Sequence, residues 1–71
     1  MKEIRELEVK FADGGMTDTY YMENYGLCKG LYDEPENVAI ARSNDAIVHA
    51  IKEDSLKEVV GIRFLDGEVL L

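Results

Sequence analysis

The chain has 71 residues, 46 % of them hydrophobic, with 15 Asp and Glu against 8 Lys and Arg, for a net charge of −7. That length is one domain, 1–71, hiding only ~60–65 % of the surface its unfolded chain exposes, so the core is thin. The lone cysteine, Cys28, rules out an internal disulfide, and Cys28 and His49 are too few soft donors for a structural zinc with its usual four ligands.

Leu7, Val9 and Phe11 alternate with Glu8 and Lys10, the period-2 pattern of a half-buried strand. Ile4, Leu7 and Phe11 also fit a helical stripe, but the β-branched and aromatic choices and the following Asp13-Gly14-Gly15 favour the strand. Met16 to Met22 then returns as a second strand rich in Thr and Tyr. Its register stays open, because two-residue and three-residue loops put opposite faces on the core. Asn24-Tyr25-Gly26 punctuates the pattern, and Leu27 to Tyr32 reads as a short third strand, a reading that Gly30 weakens because a glycine inside a strand often marks a bulge. Asp33-Glu34-Pro35-Glu36-Asn37 has the composition of a loop, and Val38 to Arg42 of a fourth strand.

Ser43-Asn44-Asp45 offers three side chains able to cap a helix. Beyond it Ile47, Ala50 and Ile51 share one helical face, which predicts a helix from Asn44 to Asp54; the rival is a strand over 46–52. Val59 to Leu65, Asp66-Gly67 and Glu68 to Leu71 spell a β-hairpin closed by a two-residue type I′ turn. That turn would pair Leu65 with Glu68, Phe64 with Val69 and Ile62 with Leu71. The expected fold is α+β, a small antiparallel sheet of about four to five strands with one helix packed on it; the alternative is an all-β small barrel.

The charge is uneven. Residues 11–41 carry six acids (Asp13, Asp18, Glu23, Asp33, Glu34, Glu36) against Lys29 alone. Such a balance repels a phosphate backbone, so direct nucleic-acid binding is not expected. With no signal-peptide pattern in the first ten residues, and no apolar run near the ~20 residues that span a bilayer, the expectation is a cytoplasmic protein with no membrane segment.

No motif places a catalytic group. His49 lies off the apolar stripe of the helix; Cys28 has no Cys-x-x-Cys partner and reads as a small buried hydrophobe. Asp13-Gly14-Gly15-Met16-Thr17 lacks the Lys-Ser or Lys-Thr of a phosphate-binding loop. Asp33, Glu34 and Glu36 lack the alternating ligands of a calcium loop. The expectation is a non-enzymatic chain without metal or cofactor.

One constellation stands above this background. All four tyrosines (Tyr20, Tyr21, Tyr25, Tyr32) fall within the acidic stretch, beside Glu23, Asp33, Glu34 and Glu36. Neighbours on a strand point to opposite faces, so Tyr20 and Tyr21 should not both face the core. Exposed tyrosines ringed by carboxylates suit an interface with a basic protein surface, as in an inhibitor or adaptor. Against this stands the plainer use of tyrosine at the rim of a thin core. Two further expectations compete: a homo-oligomer joined through the apolar strand Val69-Leu70-Leu71, a homodimer in the simplest case, and, third, a small enzyme using Cys28 or His49.

Overall fold

The computed structural model describes residues 3–71, and their side chains except those of Thr17 and Asp18. Five strands, β1 (Ile4–Phe11), β2 (Met16–Glu23), β3 (Gly26–Leu31), β4 (Glu34–Ile40) and β5 (Val59–Phe64), form one open antiparallel sheet in the order β4-β3-β2-β1-β5. One helix, α1 (Asn44–Asp54), joins β4 to β5. The fold is α+β and not a closed barrel, and the strand alternative for 46–52 falls away. Counting antiparallel steps across the sheet, β4 and β5 run the same way at opposite edges. No hairpin can join such strands, so the connection must cross a face of the sheet, and α1 makes the crossing.

Ser43 begins the helix, its hydroxyl accepting the Ala46 N–H at 3.1 Å. Asp45 in the first turn and Lys52 in the last oppose the helix dipole. Ile47, Ala50 and Ile51 are buried as the periodicity requires, against Leu7 and Val9 of β1, Tyr20 and Met22 of β2, Leu27 of β3, and Val59, Ile62 and Phe64 of β5.

Each hairpin register is fixed by its turn. Between β1 and β2 the Phe11 N–H donates to the Gly15 carbonyl and the Gly14 N–H to the Phe11 carbonyl, at 2.8 and 2.9 Å. Gly14 takes φ +90°, a backbone that favours glycine. Along the ladder Val9 faces Thr17 but Leu7 faces Tyr20, so β2 holds one extra residue there. This bulge turns Tyr20 towards the helix and Tyr21 to the far face.

Two sequence expectations are corrected here. The stretch Glu34–Asn37 is not a loop but the first half of β4, with Leu31 opposite Glu34 and Gly30 opposite Pro35; the turn is only Tyr32-Asp33. Proline and carboxylates fit this strand because β4 is the sheet edge, where a missing N–H breaks no inner ladder. The C-terminal hairpin is also one residue out of the expected register. Its loop is Leu65-Asp66-Gly67: the Phe64 N–H donates to the Glu68 carbonyl (2.8 Å), the Gly67 N–H to the Phe64 carbonyl (2.9 Å), and Gly67 takes φ +108°. Arg63, rather than Phe64, faces Val69. The extra loop residue flips the tail, so Leu70 packs on the core while Val69 and Leu71 are exposed.

That tail is tied down. The Leu70 and Leu71 N–H groups donate to the Ile62 carbonyl at 2.8 and 3.1 Å, and the Ile62 N–H donates to the Leu71 carbonyl at 3.1 Å. Residues 68–71 therefore pair with the outer edge of β5. Among the described residues no helix is long and apolar enough to cross a membrane.

Candidate functional site

The sheet separates the tyrosines. Tyr20, 5 % exposed, lies under α1, its hydroxyl donating to Asp54 at 2.5 Å and standing 3.4 Å from Ser55 Oγ. Lys29, opposite Tyr20 on β3, donates to the same carboxylate at 3.0 and 3.2 Å. Burial and the bond to Asp54 push the Tyr20 phenol above its ordinary value. The hydroxyl of Tyr20 and the ammonium of Lys29 hold the Asp54 carboxyl below its ordinary value, and the bond to Asp54 holds Lys29 above its own. This network pins the last turn of α1 to β2 and β3.

Tyr21 is buried too, at 1 % exposure, on the opposite face. The expectation that one of the adjacent pair reaches the surface fails because the β3–β4 turn folds over that face. Tyr32 meets Tyr21 edge-on, ring centroids 4.8 Å apart and planes at 83°, and the Tyr21 hydroxyl donates to the Leu31 carbonyl at 3.2 Å. Burial pushes the Tyr21 phenol up. Cys28, next to Tyr21 across the β2–β3 ladder, is buried beneath the same cover, its thiol 3.5 Å from Asn37 Oδ1.

Tyr25 and Tyr32 are exposed, but they occupy turns at opposite ends of β3. Arg42 stacks on Tyr25, its guanidinium carbon 4.5 Å from the ring centre. Glu23 ends β2 half-buried, facing Ile4 and Gly26. The eight expected contact residues therefore do not form one patch. Four of them do come together: Tyr32, Asp33, Glu34 and Glu36, all exposed on the β3–β4 hairpin beside exposed Leu31.

Continuous with this hairpin is a groove that composition alone does not single out. It lies between β4 and α1, has a volume of about 340 Å³, and is lined by Val38, Ala39, Ile40, Ala46, His49, Ala50, Glu53 and Asp54. Its floor is narrow apolar side chains; its rim is polar. His49, exposed as expected, stands 2.9 Å from Glu53 one helical turn on. Glu36, on the neighbouring hairpin, stands 3.9 Å from Lys29. The available sequence signal was Ala46 and Ala50 at i and i+4 beside the Val38-Ala39-Ile40 run, where small residues leave a helix and a strand incompletely packed.

This surface presents carboxylates, apolar side chains and the backbone of an edge strand whose outer side no other strand among the described residues pairs. Among the described residues no three His, Cys, Asp or Glu gather to hold a metal ion. No family model, curated protein or solved structure matches the chain.

Proposed function

We propose that this chain is a small acidic, non-enzymatic protein-binding module, an inhibitor or adaptor that occupies a basic surface of another protein through its β3–β4 hairpin. One observation carries the reading. Asp33, Glu34 and Glu36 stand exposed around Leu31 and Tyr32 on the open edge of the sheet, while Lys29, the one base between residues 11 and 41, is shared between Asp54 at 3.0 Å and Glu36 at 3.9 Å. Unbalanced carboxylates attract and orient a cationic partner, and the leucine and tyrosine supply contact area at low entropic cost.

Tyr20 and Tyr21 enter this reading only as supports: Tyr20 anchors α1, and Tyr21 seats Tyr32. The test is capture from a lysate on the immobilised chain, compared with an Asp33→Lys/Glu34→Lys/Glu36→Lys variant. Basic proteins should be retained at low salt by the parent and lost with the variant, because all three substitutions are exposed and spare the core. Equal retention of the same proteins by both forms would end the proposal.

A further inference from the structure

We infer that the outer edge of β4 takes an extended basic segment of the partner as a sixth strand, whose apolar side chains enter the groove between β4 and α1. The inference rests on the binding reading above and gives the partner segment its chemistry: lysine or arginine and small aliphatic residues taking turns at every second position, so that both face the helix side.

Three features converge on this occupant. First, β4 is terminal in the sheet order, and among the described residues no strand pairs with its outer side. Its backbone there is a template for strand addition, the mode in which main-chain bonds give affinity and alternate side-chain pockets give specificity. Second, the groove runs alongside that edge on the helix side. Its floor of Val38, Ala39, Ala46 and Ala50 has room for aliphatic side chains, and at about 340 Å³ it stands at the lower end of ligand-sized clefts. Third, Glu53 on the rim of the groove and Glu36 on the same side of β4 have side chains 70 % and 72 % exposed. Because successive strand side chains point to opposite faces of the sheet, a segment carrying basic and aliphatic residues in turn at same-face positions, i and i+2, matches these carboxylates and the apolar floor, which share the helix side.

A second copy of this chain fits the edge poorly. Pairing β4 with its own copy would crowd two sets of Glu34 and Glu36 into one short ladder, between molecules each carrying −7, and Pro35 would withhold a donor from each.

The experiment uses the full chain and three fluorescent, end-blocked peptides: a Lys-Val peptide (Lys-Thr-Val-Thr repeated twice), a Lys-Gly peptide (Lys-Thr-Gly-Thr repeated twice), and the Lys-Val peptide N-methylated at alternate residues on its hydrogen-bonding side. Anisotropy gives affinity, backbone amide shifts give location, and light scattering gives mass. The account expects Lys-Val to bind at least tenfold more tightly than either other peptide, amide shifts concentrated on β4 and the facing side of α1, and a one-to-one complex. Substituting Glu36→Lys with Glu53→Lys should weaken Lys-Val at least tenfold. Equal binding of all three peptides means attraction by charge alone; it overturns strand addition and leaves the charge-based reading standing. Shifts centred on β5 or the 65–71 tail, or a homodimer that the peptide fails to dissociate, overturn it as well. Loss of lysate capture by the charge-reversed hairpin is scored separately, so either proposal can fail without the other.

Discussion

The two edges of this sheet meet the same physical problem in opposite ways. An edge strand exposes unpaired N–H and C=O groups that invite another chain. At β5 the protein covers that edge with its own tail, held by backbone bonds to Ile62 and Phe64. Side chains reinforce the cover: Arg5 donates to Asp66 and Glu68 at 2.7 and 2.8 Å, Asn44 donates to Glu68 at 2.8 Å, and the Arg5 guanidinium lies 3.6 Å from the centre of the Phe64 ring. At β4 nothing in the described residues covers the edge; Pro35, Glu34 and Glu36 guard it instead. Such guards discourage self-association while leaving the edge open to a complementary chain. One edge is covered by backbone bonds, the other guarded by side chains.

Truncating one large side chain at each edge should break the comparison open. Phe64→Ala removes a buried ring at the covered edge, with an expected loss of about 3–5 kcal/mol, read by urea unfolding. Ile40→Ala at the open edge, where the side chain is 77 % exposed, should change stability by less than about 0.5 kcal/mol. A large loss at Ile40 would mean that the β4 edge is already buried in solution.

Next in size is the network that ties the helix to the middle of the sheet. Asp54→Asn should cost about 1–3 kcal/mol near neutral pH, because Lys29 and the Tyr20 hydroxyl lose a charged acceptor. The sign with pH follows from the shifts. Asp54 has a lowered pKa in the folded chain, so its contribution is full above the ordinary carboxylate range and disappears as pH falls through the folded value. Tyr20 and Lys29 are raised, so theirs is full below their ordinary values and disappears as pH rises through the folded ones. Unfolding curves against pH should therefore decline at both extremes, and Asp54→Asn should flatten the acid limb. Asp66 and Glu68, also lowered by Arg5, leave part of that limb in place.

The smallest effect sharpens the comparison. Arg5→Ala should cost about 1 kcal/mol, since its ion pairs face solvent and only its stacking on Phe64 is sheltered. Its signature is local. Amide exchange at Leu70 and Leu71 should accelerate while exchange at β3 is unchanged.

Much of the fold was legible in the sequence, because alternation and capping are local signals. The strand of Leu7, Val9 and Phe11, the Ser43 cap and the Ile47-Ala50-Ile51 stripe each identify their element from a few residues. Failure came where two structures share one local signature. Asp66-Gly67 suits a two-residue turn, yet it serves equally when Leu65 joins the loop and the glycine carries the positive φ, and the choice decides whether Leu70 or Leu71 is buried. Proline with three carboxylates marks a loop or a guarded edge strand, and only the strand order tells them apart. The candidate site was half legible: Tyr32, Asp33, Glu34 and Glu36 share a hairpin, so sequence proximity found them. The burial of Tyr21 depends on Tyr32 folding over it, and the groove depends on α1 lying beside β4. Neither is a local property.

Residue-resolved amide hydrogen exchange on the free chain tests the central claim, the difference between the two edges, most directly. The account predicts slow exchange at Ile62, Leu70 and Leu71, alongside a subset of β4 amides, those facing away from β3, exchanging at close to the rate of unprotected backbone. Uniform slow exchange along β4 would show that its outer side is already paired, and would contradict the account.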